Sequence, residues 1–279
     1  MLIKGGFNFA FDCNTFTPIL LMMHVRPERA HDFVEPELFT LVPNIPCSTH
    51  RDAFGNICTR LIAPPGHTSI WNRFLISDPG LPEELPTGAY QHPVHELPED
   101  TLQFLLGSRY CETQKLSDLA WALFGGYAEG WPRVQAIIQY AHDQLTFSYP
   151  HARPDRTAWD AHQERIGVCR DYTHLAISLL RCMNIPARYC TGYLGDIGVP
   201  RDPAPMDFSA WGEVFLSGKW WTVDARHNQP RTGRILMAYG RDAADVAIST
   251  AFGVATLSEF MVITEEVPLV EKALAIAAE

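Results

Sequence analysis

Along the first third of the chain, hydrophobic positions come in short runs separated by turn signals. Pro18-Ile19-Leu20-Leu21-Met22-Met23-His24-Val25 is one such run, and Asp52-Ala53-Phe54-Gly55-Asn56 and Pro64-Pro65-Gly66 are turns. This pattern predicts an N-terminal antiparallel β-domain over residues 1–90. Asp78-Pro79-Gly80-Leu81-Pro82-Glu83-Glu84-Leu85-Pro86 is acidic and proline-rich and reads as a linker into a second domain, 91–279.

Helical spacing begins after the linker, with a short segment at Glu99 to Leu106. Behind Gly130-Trp131-Pro132, the positions Val134, Ile137, Ile138, Ala141 and Leu145 predict an amphipathic helix with proline in its first turn. Ser148 to Glu164 is polar, contains proline and reads as a surface loop. From Asp171, a stripe of Leu175, Leu179, Leu180 and Met183 predicts another helix, stopped by Asn184-Ile185-Pro186. Ala187 to Tyr193 and Phe208 to Phe215 read as strands, and Ser217-Gly218 as a two-residue turn into Lys219-Trp220-Trp221-Thr222-Val223-Asp224. That turn would set Phe215 opposite Trp220 and Glu213 opposite Thr222, with Ser209 and Asp224 diagonal on one face. Trp211, Trp220 and Trp221 read as sheet packing. Residues 226 to 253 read as loop-rich, Phe260 to Thr264 as a strand, and Glu265 to Glu279 as a helical or frayed tail.

Composition narrows the function classes. Of 279 residues 47% are hydrophobic, and the net charge is −10. That charge disfavours nucleic acid and anionic membrane surfaces, which reward clustered Lys and Arg. No apolar run reaches the ~18 residues of a membrane span, and the start lacks a signal-peptide pattern. The expected location is cytoplasmic. His24, His31, His50 and His67 match no metal spacing and are expected at the surface or at sheet edges. The seven cysteines are scattered without a C-x-x-C pair, which argues against disulfides and zinc. No cofactor or metal is expected, and nothing in the pattern speaks to oligomeric state.

One cysteine stands apart. Cys169 lies in Arg165-Ile166-Gly167-Val168-Cys169-Arg170-Asp171, where an irregular segment gives way to a helix. A helix N-terminus lowers a thiol pKa and favours the nucleophilic thiolate, and Arg170 would add positive charge. Cys13, Cys47, Cys58, Cys111, Cys182 and Cys190 read as small core hydrophobes. Asp171, two residues on from the thiol, reads as a cap of the helix start.

Three passages resemble a bacterial member of the transglutaminase-like superfamily, within the papain-like thiol group. Gly167-Val168-Cys169-Arg170-Asp171 resembles its nucleophile motif. Asn184-Ile185-Pro186-Ala187-Arg188-Tyr189 with Thr191-Gly192-Tyr193 resembles the passage that follows. Ala210-Trp211-Gly212-Glu213-Val214-Phe215, a turn, and Trp220-Trp221-Thr222-Val223-Asp224 resemble its catalytic hairpin. The resemblance covers about residues 130 to 228, and the N-terminal β-domain is similar in kind to that of bacterial relatives. It implies an α+β fold, a nucleophile helix packed on an antiparallel sheet, and a Cys-His-Asp triad acting on amide bonds by hydrolysis or acyl transfer. Cys169 then matches the nucleophile and Asp224 the acid. Ser209 stands where the family has its histidine, and a hydroxyl cannot take a thiol proton at neutral pH.

Two other histidines lie close in sequence. His174 is about 140° round the helix from Cys169 and points away. His227, in Asp224-Ala225-Arg226-His227-Asn228, is the candidate for a replacement base: it would face away from Asp224 on a straight strand and needs a bend to return, and otherwise reads as a structural or substrate-contacting histidine. The leading expectation is a thiol-dependent peptidase, amidase or acyltransferase for a peptide or small amide, with an altered triad. The alternative is an inactive module of the same fold that binds such a ligand.

Overall fold

A computed structural model of the chain describes residues 1–268. Leu2–Cys13 is the spine of the N-terminal part, with Gly66–Ser77 antiparallel on one side and Ala255–Glu266 on the other. Phe33–Glu35 and Thr40–Val42 complete this five-stranded sheet along Gly66–Ser77. A four-stranded sheet, ordered Ser249–Ala251, Thr17–Leu21, Ile57–Ala63 and Cys47–Arg51, contributes to the same core. Phe7, Phe9, Ile19, Leu21, Leu61, Ile70 and Phe74 fill that core. The C-terminal strands therefore return to the N-terminal sheets. The break near residue 90 separates sequence patterns, yet residues 249–266 pair with elements before it.

The second part is α+β. Its sheet runs Lys219–Val223, Ser209–Leu216, Ala187–Tyr193 and Ile235–Gly240, all antiparallel. Thr113–Phe124, Trp131–Gln144, Ala158–Glu164 and Cys169–Cys182 are its longer helices. Cys169–Cys182 is central, since every residue from Asp171 to Cys182 is buried. Leu175, Leu179, Leu180 and Met183 pack with Ala210, Val214 and Leu216 of the sheet and with Leu116, Val134 and Ile137 of neighbouring helices. The two parts are continuous at Tyr193, Phe208, Ile235 and Met237, which enter the N-terminal core.

Three segments differ from the sequence reading. Ser148 to Glu164 is not all loop: Ala158–Glu164 is a helix opened by a reciprocal capping box between Thr157 and Asp160. Residues 226–253 hold the strands Ile235–Gly240 and Ser249–Ala251, each stabilised by a distant partner. Glu265 and Glu266 belong to a strand, and the tail expected from 269 onward lies outside the described residues.

Candidate active site

The start of the central helix is clamped before it can present the cysteine. Thr146–Phe147 pairs in parallel with Ile166–Gly167, and the chain enters an extended Val168 before Cys169 opens the helix. Asp171 is fully buried, and its Oδ2 accepts from Val168 N at 2.9 Å and from Arg156 Nη1 at 3.1 Å. Arg156 is itself buried and also reaches Glu164 at 3.0 Å. Gly167 is required by this clamp, because a Cβ there would lie 2.6 Å from that of Asp171. Asp171 thus caps the helix, as read, and additionally ties it to the 156–164 segment. Arg170 donates to Asp171 Oδ1 at 3.2 Å.

Ser217 and Gly218 have φ of 50° and 81°, the paired positive angles of a tight hairpin turn. The register follows, with Phe215 opposite Trp220 and Glu213 opposite Thr222. The strand ends at Val223, and Asp224 then bends the chain. Its Oδ1 accepts from the N–H groups of Arg226 and His227, both at 3.0 Å, and its carbonyl accepts from Asn228 N at 2.8 Å. Asn228 closes the bend at φ 50°, in the left-handed region where Asn is tolerated. The bend returns His227 to its acid, with Nδ1 2.9 Å from Asp224 Oδ2. Arg234 Nη2 donates to the same oxygen at 3.0 Å, its Nε binds Glu83 at 2.5 Å, and its guanidinium lies 4.5 Å over the Trp211 ring.

Ser209 pairs with Gly192 at the start of its strand and is buried, its hydroxyl without a hydrogen-bond partner. Asp224 bonds to His227 and Arg234, and no bond joins it to Ser209 among the described residues. His174 lies elsewhere: fully buried, it stacks on Tyr110 at 5.0 Å and accepts from Ala243 N at 3.2 Å.

The electrostatics reverse one expectation. Burial and the Asp207 carboxylate push the Cys169 thiol up to about 11, while Arg226 and the Ala210 N–H oppose them. The helix-initial position therefore does not give a resting thiolate, and the opposing guanidinium is that of Arg226 rather than Arg170. Asp207 is raised to about 6, by burial first, against the Phe208 N–H and Arg226. Tyr149 rises to about 12 through burial and the same acidic surroundings. Burial would raise Asp224, but the bond from His227 and the charge of Arg234 hold it well below the usual carboxylate range. Asp207, Ser209, Tyr149, Arg226 and His227 line one cleft of about 870 Å³.

Asp207, Tyr149, Arg226 and Arg234 were not singled out from sequence. Asp207 stands two positions before Ser209, ahead of the strand Ser209–Leu216, where strand periodicity assigns it no face. Asp207→Asn should lower the Cys169 pKa and speed its alkylation in mildly alkaline buffer, with burial, the larger cause, left in place. The sign follows from removing a negative charge that opposes the thiolate. The pH dependence of iodoacetamide labelling, mapped to Cys169 by mass spectrometry, checks this. An unchanged profile would count against Asp207 as a neighbour of the thiol. Cys47 is exposed rather than core, so the measurement belongs in a Cys47→Ser background.

Residues 118–225 match the sequence model of the transglutaminase-like superfamily, a stretch holding Cys169, Ser209 and Asp224 and ending two residues before His227. Over 96% of its length the chain is similar to the crystal structure of a candidate cysteine protease from Cytophaga hutchinsonii, with 28% identity, a TM-score of 0.84 and 91% of that chain covered. It is also 31% identical over 121 residues to an uncharacterized protein of Mycobacterium leprae. That match takes in 41% of this chain and spans only 42% of that protein. No helix among the described residues is long and apolar enough to cross a membrane.

Proposed function

For a chain that carries a transglutaminase-like core, we propose a cysteine-dependent amide-bond enzyme in which Cys169 is the nucleophile, His227 the base and Asp224 its orienting acid. The observation that carries this is the 2.9 Å bond between His227 Nδ1 and Asp224 Oδ2 at the cleft. An ionised carboxylate only accepts, so Nδ1 holds the ring proton and Nε2 keeps a lone pair. Because burial holds the Cys169 thiol neutral, its proton must leave during attack rather than before it.

In the first step the sulfur bonds to the amide carbon as His227 Nε2 takes the thiol proton. The carbonyl oxygen becomes an oxyanion, stabilised by backbone N–H groups at the start of the central helix. Collapse breaks the C–N bond, the imidazolium proton passes to the departing amine, and a thioester remains. Water or a second amine then attacks the thioester carbon and yields its proton to His227; the C–S bond breaks, the acid or new amide leaves, and His227 returns the proton to the sulfur. Ser209 takes no proton in this scheme and lines the same cleft as His227. The substrate is a peptide or small amide, and seven unpaired thiols support a reducing, cytoplasmic setting.

The second reading is a module of the same fold that binds such an amide without turnover. The raised thiol and the serine at position 209 favour it. Release of amine from a fluorogenic peptide amide, with and without an added primary amine, separates the two. Activity is expected in the parent and absent in Cys169→Ala, and the added amine tells acyl transfer from hydrolysis. Turnover unchanged in Cys169→Ala would refute the thiol mechanism, and binding without turnover in either protein would favour the module.

A further inference from the structure

The strand Ala255–Glu266 is unusual for the end of a sheet. It is 12 residues long, it pairs with Leu2–Cys13 on one side, and no strand lies along its other side among the described residues. Such an edge offers a row of backbone donors and acceptors that proteins ordinarily shorten, cover or charge. Here Leu257, Phe260 and Met261 are 48%, 41% and 56% exposed along it.

The course of the strand matters more than its length. Met261, Val262, Ile263 and Glu265 line the same cleft as Ser209, Arg226 and His227. The proline-rich segment from Val199 to Asp207 lines that cleft as well. At Thr264 the edge is covered by Gly195, whose Cβ, if present, would lie 2.3 Å from the Thr264 carbonyl oxygen. The edge before Thr264 is free of that contact, and Met261 to Ile263 carry it to the cleft that His227 lines.

We propose that this edge seats the substrate: an extended peptide segment adds to Ala255–Glu266 as a further strand and delivers its scissile bond to Cys169. The inference rests on the thiol-enzyme reading and names its substrate class as an unfolded or extended polypeptide rather than a small free amide. Main-chain hydrogen bonds supply most of the recognition, and alternate side chains contact the cleft walls. A strand added to an edge directs every second N–H to its neighbour and the others to solvent. Sensitivity to a blocked N–H must therefore alternate along the peptide.

The test uses chloromethyl ketones of acetyl-Leu and acetyl-Ala-Leu-Ala-Leu, with each amide N-methylated in turn, on the full chain carrying Cys47→Ser. The rate of Cys169 alkylation is followed by mass spectrometry. The tetrapeptide should react at least ~10-fold faster than the single residue, and N-methylation should remove about 10-fold at every second position only. Equal rates for both lengths, or an equal effect of N-methylation at every position, overturn the strand-docking proposal. If the single-residue probe still labels Cys169 in that case, the thiol-enzyme reading survives. Failure of every probe to label Cys169 takes both down. A labelling rate that falls with rising protein concentration would show that a second copy covers this edge, and that too overturns the proposal.

Discussion

Replacing His227 with alanine should lower amide-bond turnover by ~10²–10⁴-fold, the usual range for a positioned general base, while leaving the fold intact. The His227 side chain keeps 18% of its surface exposed, and among the described residues its ring bonds to Asp224 alone, so its loss leaves the other hydrogen bonds of the bend in place. Steady-state kinetics checks the effect, with circular dichroism to confirm folding. Ser209→His, which restores the family's residue, should then be nearly silent by itself. Asp224 already receives His227, Arg234 and two backbone N–H groups, so a second imidazole finds that carboxylate occupied. In the His227→Ala background the same change should recover activity. Full activity in His227→Ala alone would assign proton transfer to another group.

The largest effect on stability is expected at Asp171. Asp171→Ala would leave the Val168 N–H unpaired and take one of two carboxylates from the buried guanidinium of Arg156, with Glu164 remaining; breaking a buried ion pair from one side costs ~3–5 kcal/mol, and Glu164 places this loss toward the lower end. Urea denaturation should register this loss, with a smaller one for Asp171→Asn, which keeps an acceptor for Val168. The consequence for function is local. Without the clamp, Cys169 no longer sits at a fixed helix start, so reactivity of the thiol should fall together with stability. A variant as stable as the parent would mean that Asp171 contributes little beyond the ordinary cap.

What the sequence made legible was local. The central helix announced itself through Leu175, Leu179 and Leu180, and the hairpin through Ser217-Gly218, because spacing and turn chemistry act over a few residues. The position of His227 was not legible. It depends on a single carboxylate capturing the N–H groups of Arg226 and His227, which diverts a chain that strand periodicity would carry straight on. The helix Ala158–Glu164 was hidden by nearby prolines and polar residues, although Thr157 and Asp160 carried a capping-box spacing. Return of Ala255–Glu266 to Leu2–Cys13 left no mark in either segment alone, since strand pairing over such a separation is decided by the shared core. The raised Cys169 thiol depends likewise on Asp207, which the fold brings in from the segment just ahead of the strand carrying Ser209.

Central to this account is the claim that His227 and Asp224 act together on the Cys169 thiol. The direct measurement is the rate of Cys169 modification by the single-residue chloromethyl ketone at neutral pH. It compares the Cys47→Ser parent with His227→Ala, Asp224→Asn and the double variant. The account predicts a loss of ~10²-fold or more in His227→Ala, a loss in Asp224→Asn, and no further loss when the two are combined, because residues acting as one unit are not additive. Rates in His227→Ala equal to those of the parent, or losses that multiply in the double variant, would contradict it.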